Sequence, residues 1–101
     1  MGGIETLKEV PVTRMFIADS FTVPRVGIVV TGRPELGDIR EGDLLWLNEG
    51  AVRHRVTVRG VRHLCARSLD PRVAPAGINS SLILDGFPEG IELPGLLLSS
   101  E

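Results

Sequence analysis

Four residues between positions 54 and 70 belong to types that carry chemistry: His54, His63, Cys65 and Asp70. A cysteine acts as a nucleophile only as a thiolate, with a base and an orienting group held against it. Cys65 stands between Leu64 and Ala66, the surroundings of a small buried hydrophobe. A Cys/His metal site needs more ligands at a recognised spacing. Neither a catalytic site nor a metal site is expected, and no cofactor is implied. The second chemistry in reach is phosphate binding. Residues 26–42, VGIVVTGRPELGDIREG, set glycines and charges around an apolar run, as some phosphate loops do. Yet no G-x-x-x-x-G-K-[ST] occurs, and Lys8 is the only lysine. Without that loop, its lysine and a magnesium-holding hydroxyl, GTP hydrolysis has no equipment, and no bound GTP is expected.

The remaining chemistry is that of arginine. Residues 53–72 hold Arg53, Arg55, Arg59, Arg62, Arg67 and Arg72 against one carboxylate, Asp70. Residues 76–101 hold Asp85, Glu89, Glu92 and Glu101 and no Lys or Arg. The chain is polarised. Arg53, Arg55 and Arg59 share one parity, which on a strand makes an outward basic stripe. Such a stripe can grip RNA phosphates through guanidinium forks. It can equally be a solvated face paired with nearby carboxylates, or a surface for a partner of opposite charge. Stacking partners for bases are few: no tyrosine, one tryptophan (Trp46) and three phenylalanines.

The elements that hold these residues read as β. The chain has 101 residues, of which 43% are hydrophobic, so one folded domain is expected. The formal net charge is −2, which argues against a general polyanion binder without excluding a local patch. One cysteine allows no internal disulfide, and the reducing cytoplasm is the simplest compartment. No apolar run reaches the roughly 18–20 residues of a membrane span, and the first residues lack a signal-peptide pattern.

Met15, Ile17 and Phe21 share a parity and predict a first strand facing the core. Val26–Thr31 is a continuous apolar run, as in a strand buried on both faces or in a barrel core. Pro34-Glu35-Leu36-Gly37 and Glu41-Gly42-Asp43 are turn signals. Leu44–Leu47 is a short strand. Val52–Leu64 is a long one with a fault: Val61 is an odd step from Val58, and a bulge at Gly60 would repair it. Residues 68–77 read as a loop. Ser81–Leu84 and Leu96–Leu98 are the last strands, with a turn-rich segment between them. Glycines or prolines interrupt every long window, so no helix is expected. Short strands with turns at this spacing predict a small closed antiparallel β-barrel, all-β, over residues 13–101, behind an N-terminal arm of residues 1–12.

Several spacings then coincide: Asp19 two before Phe21; Gly27-x-Val29-Val30-Thr31-Gly32-Arg33; Glu35-x-Gly37; Gly42; and downstream Val58-x-Gly60-Val61, Ser68-Leu69-Asp70, Ala76-Gly77-x-Asn79, Gly86, Ile91 and Gly95. From about Met15 to Ser99 the chain resembles the second domain of elongation factor Tu and related translational GTPases. The resemblance implies a barrel of six or seven strands of the translation-protein type. It does not itself transfer function, because the barrel is reused. In that family a GTPase domain precedes the barrel, whereas here about fourteen residues precede the first strand. The chain reads either as a stand-alone module or as the excised second domain of a larger GTPase.

The resemblance also implies a ligand pocket, which in the family holds the 3′ end of aminoacyl-tRNA. Val23 fits its apolar position, Asn79 matches an asparagine near the aminoacyl group, and Ile83 keeps an apolar wall. Arg25 falls where the family has glycine. Arg62 falls where it has a glutamate that contacts the adenosine sugar, so an acceptor is replaced by a donor. Asn79 reads equally well as a capped turn after Gly77. The strand 44–47 is apolar on both parities; the resemblance implies that Leu45 and Leu47 fill the barrel, so that Leu44 and Trp46 point outward, as an interface core or under cover of Ile4, Leu7 and Val10.

The expectation is therefore a non-enzymatic binding module. Its partner would be a protein, a second copy, or RNA of the tRNA or ribosomal kind. On the RNA reading Arg25, Arg53, Arg55, Arg59 and Arg62 make the contact. No membrane partner is expected.

Overall fold

The structure is a computed structural model and describes residues 12–62 and 70–101. The described residues form eight strands in order: β1 (Arg14–Val23), β2 (Gly27–Gly32), β3 (Ile39–Arg40), β4 (Leu44–Glu49), β5 (Val52–Arg62), β6 (Val73–Ala74), β7 (Ser80–Asp85) and β8 (Leu97–Ser99). Six of them close a barrel in the order β1-β2-β7-β5-β4-β8, and β8 pairs back onto β1. Every pairing is antiparallel. The fold is the closed antiparallel barrel that the sequence predicts, and no helix occurs among the described residues. No helix there is long and apolar enough to cross a membrane.

Alternation builds the core. Met15, Ile17, Val30, Leu45, Leu47, Val56, Val58, Leu82, Leu84 and Leu98 point inward and are buried. Closure leaves no unpaired barrel edge, so the ladder groups of β1 and β8 are satisfied by each other. β3 and β6 form a separate two-stranded ladder that brings Ile39 and Ala74, both fully buried, against the core. The sequence reading left residues 39–40 between two turn signals and put residues 73–74 in a loop. Two residues per strand are too few to show a period.

Two bulges set the register. The first is where the sequence puts it: the β5–β7 ladder shifts between Val58 and Gly60. Val61 then stands opposite Leu82 and packs on the core. A Cβ at position 60 would lie 3.1 Å from Ile83 Cδ1, so the lack of a side chain has a packing reason too.

The second bulge corrects the sequence reading. In the β1–β2 ladder Ile17 pairs with Gly32 but Asp19 pairs with Thr31, so β1 carries one extra residue at Ala18. Parity flips beyond it. Phe21, expected in the core with Met15 and Ile17, points outward and is 52% exposed. Ser20 and Thr22 take the inward positions, opposite Val30 and Ile28. The Val26–Thr31 run is buried on both faces at its centre: Val30 is inside, and outward Val29 is only 6% exposed, between Phe21 and Ile83 in register.

Candidate nucleic-acid interface

Trp46 lies between the core residues Leu45 and Leu47, so the pleat turns it outward, as it does Leu44, which is 52% exposed. Register places its neighbours. Across β5, Trp46 faces Arg55; across β8 it faces Ser99, and Ser99 faces Arg14 on β1. The next row reads Arg53, Asn48, Leu97, Phe16. All eight share the outer surface, because Met15, Leu98 and Leu47 between them are inward, as is Val56 next to Arg55. One barrel face thus carries Trp46, Phe16 and three arginines.

The two central arginines are organised by the ring. The guanidinium carbons of Arg53 and Arg55 lie 4.5 and 4.6 Å from the Trp46 ring centroid. At this range each cation is attracted by the ring's quadrupole, by about 0.5–1 kcal/mol at an exposed site. A guanidinium stacked on a ring uses its flat face and keeps its in-plane N–H donors for other partners. Arg53 is fixed further: its Nε donates to Asn48 Oδ1 at 3.0 Å, and a terminal N–H donates to the main-chain oxygen of Glu101. Asn48 in turn donates from Nδ2 to the Leu97 carbonyl at 2.9 Å and to Ser99 Oγ at 3.1 Å. Arg55 has the ring contact and no ion pair among the described residues. The result is a preset aromatic–cation platform with free donors at its rim. It suits phosphate oxygens and stacked bases, or a carboxylate-bearing protein surface.

The other predicted arginines stand elsewhere. Arg59 does not extend the stripe. It sits at the bulge, where its Nε pairs with Asp85 at 2.9 Å and a terminal N–H donates to the Val26 carbonyl. Its charge is offset on the spot. Arg62 is exposed on the outer surface opposite Ser81, seven residues along β5 from Arg55, or about 23 Å at strand rise. Arg72 faces Glu41 at 3.8 Å. His54 is clamped to Glu49 across the β4–β5 hairpin, Nε2 to Oε1 at 2.9 Å. His63, Cys65 and Arg67 lie outside the described residues, as does the arm with Ile4, Leu7 and Val10. Among the described residues no three His, Cys, Asp or Glu side chains are grouped to hold a metal.

The five pocket positions from the resemblance spread along a second outer face, on β1, β2, β7 and β5. Ile83 stands in register between Val29 and Gly60, with Arg62 in the next row and Val23 at the far end, opposite Gly27. Asn79 is at the opposite end, where it lines a surface cavity of about 450 Å3 with Phe16, Arg33 and Glu35. Arg25 occupies the β1–β2 turn, which Val26 N closes onto the Val23 carbonyl at 3.0 Å. Pro24 precedes it, and Arg25 has φ +67°, the left-handed region that a type II turn demands of its third residue. That geometry accounts for the family's glycine at this position.

A closed six-stranded antiparallel barrel with these corners has a counterpart among solved structures. Over 99% of this chain, the fold superposes on translation elongation factor SelB from Methanococcus maripaludis in its apo form, with a TM-score of 0.72 and 21% identity. The fold is that of a translation-factor barrel. The chain spans 20% of the elongation factor's length. No protein-family model and no curated protein sequence matches it.

On this barrel the sequence reading found Trp46, Arg53 and Arg55 but not Arg14, Phe16, Asn48 or Ser99. Arg14 and Phe16 lie some thirty residues before the platform and join it only through the β1–β8–β4 register. Outward parity was the one signal available, since both flank Met15.

Proposed function

We propose that this chain is a non-enzymatic binding module whose β1–β8–β4–β5 face holds RNA of the translation apparatus, ribosomal or tRNA. The observation that carries the reading is the pair of guanidiniums, Arg53 and Arg55, at 4.5 and 4.6 Å over the one tryptophan of the chain. Unpaired nucleotides need a flat surface for the base, which the outer planes of the ring-stacked guanidiniums offer, and forked donors for the phosphates, which their in-plane N–H groups supply. Arg14 and Phe16 extend the same surface by one more cation and one more ring. The RNA segment is single-stranded or looped, because a paired base cannot reach a flat ring. Likeness to an elongation factor supports the translational setting, and the single cysteine supports a reducing cytoplasm. The missing phosphate loop supports the non-enzymatic part.

Fluorescence anisotropy with a labelled 12-nucleotide single-stranded RNA tests the proposal. Three phosphate-contacting arginines give a slope of log K against log salt of about −2. Affinity should therefore fall roughly fifteenfold between 50 and 200 mM salt. Arg53→Glu with Arg55→Glu should abolish binding. No binding at 50 mM salt overturns the RNA reading.

A second reading rests on Leu44, exposed beside Trp46. A leucine–tryptophan–arginine surface is also the composition of a protein hot spot, for a partner or a second copy. If Trp46→Asp converts an oligomer cleanly into a smaller species while RNA binding is absent, that reading replaces the first.

A further inference from the structure

One end of the barrel is open and holds a cavity of about 530 Å3, within the range of small-molecule sites. Its lining includes none of the residues of the Trp46 face. Its making can be traced to the Ala18 bulge. Without the extra residue, Phe21 would follow Met15 and Ile17 into the interior and plug this mouth. With it, the inward positions at the end of β1 go to Ser20 and Thr22, and both line the cavity. Their hydroxyls have no hydrogen-bond partner among the described residues, although Ser20 is half-buried. Local preference and global fold disagree here: small polar residues face in, and an aromatic faces out. Such disagreements collect at functional sites.

The rest of the lining says what would fit. Phe87, Ile91 and Leu93 form apolar walls, and the outward Phe21 borders the opening. Asp85 and Glu89 bring two carboxylates, and no Lys, Arg or His lines the cavity. Asp85 is shared with Arg59 at 2.9 Å, whereas Glu89 has no ion-pair partner among the described residues. The wall on the β7 side is held by Gly86, at φ +105°. A Cβ there would lie 2.9 Å from the Arg55 carbonyl, so the chain turns into the cavity's rim where only glycine fits.

We propose that this barrel mouth binds a small organic cation: an ammonium on a compact aromatic or aliphatic body. The body enters against Phe87, Ile91 and Leu93. The ammonium stays at the rim against Glu89, with the Ser20 and Thr22 hydroxyls as further acceptors. An anion of the same shape meets the Glu89 carboxylate, and the Arg59 guanidinium beside the lining is already engaged by Asp85 and the Val26 carbonyl.

Three molecules of one shape test this by two-dimensional amide NMR of the whole chain: 2-phenylethylammonium, 2-phenylethanol and phenylacetate. The cation should bind with a Kd of about 1 mM, the range open to so small a probe. It should shift the amides of Ser20, Thr22, Gly86 and Gly90 saturably. Glu89→Gln, at an exposed position, should weaken it about tenfold, as loss of a charge-assisted hydrogen bond does. Ser20→Val should also remove binding, with an unchanged amide spectrum elsewhere as proof of folding. Equal binding of the alcohol or phenylacetate, unchanged binding in Glu89→Gln, or shifts absent from the mouth would each overturn the proposal.

Discussion

At the scale of single residues, the platform is decided by which donors are already engaged. Arg55 stacks on Trp46 and makes no ion pair among the described residues; Arg59 is tied to Asp85 and to the Val26 carbonyl. Two arginines four positions apart on one strand should therefore differ in function. Arg55→Gln should weaken RNA binding about fivefold to tenfold, the scale of one lost charge-assisted contact. Arg59→Gln should change it less than about twofold and lower stability by about 0.5–1 kcal/mol, an exposed pair's worth. Affinity and thermal melting of the two variants, side by side, check the split; equal losses of affinity would return Arg59 to the contact surface. Arg25 is the other residue at odds with its surroundings. A left-handed non-glycine costs about 1–2 kcal/mol, and glycine gives back about 0.5–1 kcal/mol in unfolded-chain entropy. Arg25→Gly should raise stability by about 0.5–1 kcal/mol, read as a melting point higher by a few degrees. A lower melting point would show that the guanidinium itself holds the turn.

At the scale of elements, the two bulges show what a sequence can and cannot announce. The one at Gly60 was legible. Val58 and Val61 break alternation, and a glycine stands between them to absorb the fault. The one at Ala18 was not. Ala18-Asp19-Ser20 carries no bulge signature, and Phe21 falls on the core parity if no residue is extra. Only the pairing with β2 shows that Val29 and Ile83 hold the outer row and that Phe21 must join it. The open barrel mouth was hidden for the same reason. The β3–β6 ladder escaped because two residues have no period. The outward Leu44 and Trp46 followed only from the resemblance, because residues 44–47 are apolar on both parities, while Arg14 and Phe16 join them only across three strands. An element-level prediction follows at Gly86, where β7 leaves the barrel. Gly86→Ala combines a positive φ with a Cβ against the Arg55 carbonyl, and should cost about 2–3 kcal/mol. Chemical denaturation checks it; a loss under 0.5 kcal/mol would mean that the rim relaxes freely.

At the scale of the whole molecule, closure makes the six barrel strands depend on one another, since each has two neighbours and no edge is spare. Leu47, fully buried on β4, touches the common interior of the barrel. Leu47→Ala should cost about 2–5 kcal/mol and lower the stability of all strands together, seen as a uniform loss of amide-exchange protection. Protection lost on β4 and β5 alone would mean that the barrel is not one cooperative unit. The molecule is also polarised, with an acidic mouth on one side and an aromatic–basic face on another, and each is assigned a partner of opposite charge. Trp46 is the only tryptophan, so the basic face carries its own reporter. The most direct measurement is the emission of Trp46 while single-stranded RNA is added at low salt. The account predicts a saturable quench with the midpoint found by anisotropy, lost when Arg53 and Arg55 are changed to glutamate. RNA binding that leaves the emission of Trp46 unchanged would contradict it.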